Sequence, residues 1–188
     1  MTAIKDVIDT IDHSREKRAY VANLLLDHPE LLPELLSICE LVDEKISCRA
    51  SWALEFVCKN KLNILLPYLD SFISIVPKVY QDPAVRPMAK IFEYLALAFY
   101  TQKKKEVQQS LHKEHREQMV EIGFDWLITD QKVATKAYTM TTLYLLGTEF
   151  DWVHPELKTT LELNYNTGSA AYKARSRMIL KKLQSKNS

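Results

Sequence analysis

Two stretches of this chain overlie each other without a gap at an offset of 126 residues. His28-Pro29-Glu30-Leu31 becomes His154-Pro155-Glu156-Leu157, and the register continues: Leu35 falls on Leu161, Arg49 on Arg175 and Leu54 on Leu180. Asp43 falls on Ser169, one helix-capping type on another, and the apolar Ala53 and Val57 fall on Ile179 and Leu183. A tetrapeptide alone carries little weight, but a register kept through two helices and a turn is a repeat. A repeated unit constrains the fold strongly, because a unit that cannot bury its apolar face alone must stack on its copies.

Intermediate copies emerge when the second helix of each unit is aligned on its start. Asp12, Asp43, Asp82, Asp130 and Ser169 mark five such starts. Six residues on stand Arg18, Arg49, Met88, Lys136 and Arg175, and the next residue is small each time: Ala19, Ala50, Ala89, Ala137, Ser176. Ten residues on stand Ala22, Ala53, Phe92, Met140 and Ile179; fourteen on, Leu26, Val57, Ala96, Tyr144 and Leu183. Positions seven, ten and fourteen share a helix face, which predicts a core stripe with a small residue at the closest crossing. The spacings of 31, 39, 48 and 39 residues bracket the period of two-helix repeats.

The rest of the pattern is helical. The 3 glycines, Gly123, Gly147 and Gly168, are isolated, apolar residues recur at helical spacing, and no segment alternates as a strand does. Ser14 is placed to cap a helix through Val21, Leu24 and Leu25, and Pro29 sits where a first turn tolerates proline. Pro67 is expected near the start of a helix and Pro77 to bend or end it. TQKKKEVQQSLHKEH is a polar stretch between helices, and Gly147 stops a helix. About nine or ten helices with short connections result.

The turn aspartates Asp43, Asp82 and Asp130, with Arg49 and Lys136 six positions on and alanine directly after, make the chain resemble the HEAT and armadillo class of helical repeat proteins. The resemblance implies a right-handed α-solenoid of about five antiparallel helix pairs, a single domain over 1–188 with repeats near 1–27, 29–59, 62–101, 107–147 and 154–184. It further implies that such an aspartate and such a cation link neighbouring repeats in a ladder, with Arg18 and Arg175 as further members. Met88 interrupts that ladder in the third copy, where Arg86 is the nearest cation. The aspartates are expected to be helix caps first.

Without clustered glycine no P-loop, dinucleotide fingerprint or nucleophile elbow can be written. Cys39, Cys48 and Cys58 form no close pair, MTAIKDVIDTID places charges where a leader needs an apolar core, and no apolar run approaches a membrane span. A cytoplasmic protein without membrane contact is expected, its cysteines acting as small buried hydrophobes. The net charge is +1, against a dedicated nucleic-acid binder. The halves differ: residues 1–94 carry a net −3 and residues 95–188 a net +4. Lys173, Arg175, Arg177, Lys181, Lys182 and Lys186 face no acid after Gly168, which reads as a solvated last helix complementing its own dipole.

Candidate chemistry is sparse. His112 and His115 share a helix face at a spacing a metal site uses, but no clear carboxylate joins them, so no metal and no cofactor are expected. His28 and His154 read as turn-stabilising, and His13 has no evident nucleophile or acid partner. Trp52, Trp126 and Trp152 read as core. No nucleophile–base spacing for an enzyme is visible. The expected function is a noncatalytic scaffold binding a protein or peptide on the face of the second helices, with Tyr20, Glu55, Lys90, Tyr94, Tyr138, Arg177 and Lys181 as binding residues beside Lys17, Ser51 and Thr142. Tyrosines among charges of both signs suit a protein interface. The alternative is a DNA-binding protein similar in mode to HEAT-like alkylpurine DNA glycosylases, which use aromatic and acidic residues on a basic concave face. The sequence does not speak to oligomeric state.

Overall fold

The computed structural model describes residues 4–12 and 14–186. Among these residues the regular structure is entirely helical and no strand occurs. The α-helices are α1 (Ile4–Asp9), α2 (Arg15–Asp27), α3 (Leu32–Cys39), α4 (Lys45–Asn60), α5 (Leu69–Ile75), α6 (Asp82–Ala96), α7 (Lys105–Ser110), α8 (Lys113–Ile128), α9 (Val133–Leu146), α10 (Val153–Tyr165) and α11 (Ala170–Lys186). The polar stretch after α6 is partly helical because Val107, fully buried, anchors α7 to the core.

Proline shapes several of these elements. Pro29, Pro67 and Pro77 each sit early in a single 3-10 turn, at Pro29–Leu31, Leu66–Tyr68 and Val76–Lys78. The last two bracket α5 and keep it to 7 residues. Pro87 lies inside α6. Its missing N–H leaves the Pro83 carbonyl without the usual partner four residues on. The indole N–H of Trp52, on α4, donates to that carbonyl at 2.7 Å. A side chain of the preceding long helix thus supplies the hydrogen bond that α6 cannot make for itself.

Two series of neighbour contacts organise the helices. In one, α2 packs on α4, α4 on α6, α6 on α9 and α9 on α11. In the other, α1 packs on α3, α3 on α5, α5 on α8 and α8 on α10. Between the series α3 packs on α4, α8 on α9, and α10 on α9 and α11. One buried apolar cluster runs between them from Ile4 to Leu183. The residues ten after each start are all buried: Ala22, Ala53, Phe92, Met140 and Ile179. At its middle Phe92 meets Phe72 edge-on at 5.9 Å and Trp126 at 5.3 Å.

The expected caps hold at the serines and fail at the aspartates. Ser14 accepts from the Lys17 N–H and Ser169 from the Tyr172 N–H at 3.2 Å. Asp43 instead accepts from the Tyr80 hydroxyl at 2.6 Å, Asp82 is the first residue of α6 and pairs with Lys132 at 3.2 Å, and α9 is preceded by Lys132, not Asp130. The cations six residues on do not pair with those aspartates. Arg49 reaches the carboxylate and backbone carbonyl of Asp9 at the end of α1, and Arg175 lies 3.9 Å from Glu93. In the third copy Met88 is fully buried, and Arg86 bonds Glu55 at 2.8 Å.

The two HPEL segments part company in three dimensions. His28 is exposed and bonds Glu30 at 3.1 Å. His154 lies within α10, with Nε2 2.8 Å from the Tyr144 carbonyl and its ring stacked on Tyr144 at 5.5 Å. Gly147 makes room for it: a Cβ at that position would stand 2.1 Å from the imidazole.

Candidate functional site

The residues proposed from sequence separate into three places along the series α2, α4, α6, α9, α11. Tyr20, 65% exposed, stands apart on α2. Glu55, Lys90, Tyr94 and Tyr138 gather in the middle, and Arg177 and Lys181 lie on α11. The Arg177 guanidinium donates to the Tyr165 hydroxyl at 3.1 and 3.3 Å. With Lys181, Leu180, Glu162, Asn166 and Gln184 it lines an open groove of about 610 Å³ between α10 and α11.

The central group is built on α6. Arg86, Lys90 and Tyr94 follow one another at a spacing of four residues, and so stand above each other on one helix face. Arg86 reaches back to Glu55 on α4. The Lys90 ammonium bonds Glu93 at 2.6 Å and sits 5.1 Å from the Tyr94 ring centre and 4.2 Å from that of Tyr138 on α9. A cation held between two aromatic faces gains from both quadrupoles. Burial, then the charges of Glu55 and Glu93 and the neighbouring Tyr138, push the Tyr94 phenol up to about 12, so it stays neutral and able to donate. Glu55 and Glu93 are 8% and 5% exposed, and each is held by a cation. What this cluster presents outward is therefore tyrosine ring and hydroxyl around a fixed lysine.

The expected face needs one correction. Ser51 and Thr142, read as open, are buried, and Glu55 is nearly so. On α4 the outward stripe is Lys45, Arg49, Trp52, Phe56 and Lys59, set one position from the stripe on α6. One residue rotates a helical face by about 100°, so alignment on the aspartates turned α4 inward. The stripe was legible in the spacing of those five residues. Arg18 of α2 lies over the Phe56 ring at 5.1 Å and Lys59 at 5.9 Å, while Lys182 of α11 lies over Tyr144 of α9 at 5.3 Å. Cation–aromatic pairs thus recur along the series.

Charge follows the same division. The helices α2, α4, α6, α9 and α11 contain 15 Lys and Arg against 5 Asp and Glu, whereas α1, α3, α5, α8 and α10 contain 4 against 10. Nearly neutral overall, the chain carries an excess of Lys and Arg in one series of helices and an excess of Asp and Glu in the other.

The other candidates have structural partners. His115 is buried; Nδ1 accepts from the His112 N–H, so Nε2 carries the proton it donates to Asp70 at 2.6 Å, tying α8 to α5. Among the described residues no cluster of three or more His, Cys, Asp or Glu is placed to hold a metal. Trp126 is core, whereas Trp152 is exposed and stacks on Phe124 at 5.5 Å. Cys39 and Cys58 are buried, and burial pushes both thiols up. His13 and the Lys186 side chain lie outside the described residues. On the opposite series, Arg116 forks onto Glu149 at 2.6 and 2.8 Å, and the Tyr100 hydroxyl joins at 2.5 Å. No helix among the described residues is long and apolar enough to cross a membrane. Comparison of the chain with family models, with curated proteins and with solved structures finds no match in any of the three.

Proposed function

We propose that the chain is a short HEAT-like α-solenoid of about five helix pairs, and that it works as a noncatalytic scaffold holding an acidic protein segment on the face of α2, α4, α6, α9 and α11. The contact of each long second helix with the one before and the one after supports the solenoid reading. The carrying observation for function is the excess of Lys and Arg in the sequences of those five helices, 15 against 5 acids, with half-buried tyrosines at their centre. Tyr94 and Tyr138 are held in place by Lys90, so little side-chain entropy is lost when a partner covers them.

The test is capture followed by lysine crosslinking. Bound proteins are expected to crosslink to Lys59, Lys181 and Lys182 and not to Lys113 and Lys158 on the other series. Double replacement Tyr94→Ala/Tyr138→Ala should remove their capture. Crosslinks confined to the opposite series, or capture unchanged by the double replacement, overturn the reading.

The same charge distribution favours a second reading, a nucleic-acid binder of the glycosylase-like kind. Two features weigh toward protein: Glu55 and Glu93 stand within the face, and its central cations already have carboxylate partners. Duplex DNA that binds at about 50 mM salt and is released steeply as salt rises would select the second reading.

A further inference from the structure

A cleft of about 330 Å³ opens between the α1–α2 connection, α4 and the start of α6. Ile11, Cys48, Trp52 and Pro83 supply its apolar wall, and Asp12, Lys45, Arg49 and Gln81 its polar groups. We propose that this cleft binds a small planar anion: one or two fused aromatic rings carrying a carboxylate or a phosphate. The cleft shares Lys45, Arg49 and Trp52 with the α4 end of the scaffold face but none of the Tyr94 and Tyr138 cluster that carries that reading, so its failure would leave that reading standing.

The walls are fixed before any ligand arrives. The indole N–H of Trp52 is bonded to the Pro83 carbonyl, which sets the plane of the ring. Cys48 donates to the Gln81 side-chain oxygen at 3.4 Å, and the Gln81 amide donates to the Val42 carbonyl. Arg49 is held on Asp9. Asp12 accepts from the Ser14 N–H at 2.8 Å and pairs with Lys17 at 2.9 Å, so its charge is met locally. Lys45 is exposed at the rim and has no carboxylate partner among the described residues. One cation is thus left over in a cleft whose other charges are matched.

Size and electrostatics agree with that ligand class. The volume sits at the low end of small-molecule pockets, about 300–1,000 Å³, enough for one or two rings and an anionic group. The first residue of α4 and the residues flanking the start of α6 line the cleft, and neither helix carries a side-chain cap. The positive ends of two helix dipoles therefore lie at the rim, adding to Lys45. An apolar wall with a fixed indole selects a flat ring; Lys45 and the helix ends select its anionic substituent.

Titration calorimetry and tryptophan fluorescence with adenosine monophosphate and indole-3-acetate test the proposal, with adenosine and inorganic phosphate as the separated halves. Either intact probe should bind saturably at micromolar to millimolar concentration, and more tightly than its halves. Lys45→Ala, an exposed change that leaves the fold intact by circular dichroism, should weaken binding about tenfold, and Cys48→Phe, which fills the cleft, should abolish it. Adenosine binding as tightly as its monophosphate would overturn the anionic requirement. Absence of saturable binding by both intact probes, or affinity unchanged in Lys45→Ala, would overturn the site itself.

Discussion

Replacing Trp52 by phenylalanine tests how α6 tolerates a proline in its interior. The substitution keeps an aromatic ring on α4 but removes the donor that serves the Pro83 carbonyl at 2.7 Å. Pro83 is exposed, so water can reach the orphaned oxygen, and the net loss is that of an ordinary hydrogen bond, about 1 kcal/mol. Pro87→Ala restores a backbone N–H four residues after Pro83, and the helix can then close that bond itself. The indole becomes redundant, and Trp52→Phe in that background should cost only its change of ring size. The expected coupling is therefore about 1 kcal/mol, or about 2–4 °C in melting temperature for a chain of this length. Calorimetric and urea unfolding of the four proteins measures it. A cost for Trp52→Phe that agrees in the two backgrounds to within about 0.3 kcal/mol would refute the reasoning.

Gly147→Ala drives a methyl group into the His154 ring and should destabilise by about 2 kcal/mol, while His154→Ala/Gly147→Ala should be no less stable than His154→Ala alone; thermal melts of the three variants decide. Glu93→Ala leaves Lys90 without its carboxylate and should cost about 3 kcal/mol, whereas Glu162→Ala on the exposed groove should stay within about 0.5 kcal/mol, both read from urea midpoints. The bonds from Arg116 and then Tyr100 hold the Glu149 carboxyl below its ordinary 4.5, so its stabilisation is complete above that value and is lost as pH falls through the depressed one. Glu149→Gln should accordingly be less stable than the parent at pH 7, and the gap should shrink as pH falls below 4.5; a gap that stays constant throughout acid titration would count against the ion pair.

How far the sequence could be read is plain from particular residues. The position ten after each of the five aligned starts is buried, because helical periodicity and the apolar transfer energy speak directly through residue type. The long helix α9 ended at Gly147, as expected. The outward face did not fall where expected, since a one-residue slip in alignment turns a helix by about 100° and the polar Ser51, Glu55 and Thr142 satisfy themselves inside. Ser51 and Thr142 donate to carbonyls four residues back, a bond that lets a hydroxyl be buried without any change in pattern. The aspartate caps failed for a related reason: Asp43 and Asp82 found partners from the next unit, Tyr80 and Lys132, at distances in sequence that no local rule reaches. Likewise nothing in SLHKEH pointed to Asp70, 45 residues earlier, as the partner of His115.

Net charge summed along the chain hides a division between helices that bears on the proposed function. Summed over halves, the chain shows only a mild gradient, yet alternate helices contribute to opposite series, and their charges must be summed separately. The two series then differ in sign, and adjacent packed helices lie about 8–10 Å apart. That distance matches the Debye length of about 8 Å at physiological salt. A partner approaching the basic helices therefore meets their field largely uncancelled by the acidic helices behind. At about 10 mM salt the screening length grows to about 30 Å, and the two series offset each other. Association of an acidic peptide, followed by stopped-flow fluorescence, should accelerate as salt falls toward that range and then level off. A uniformly basic surface would keep accelerating association over the same range of salt, toward the diffusion limit, and such a profile here would mean that the acidic helices lie too far from the proposed binding face to be felt.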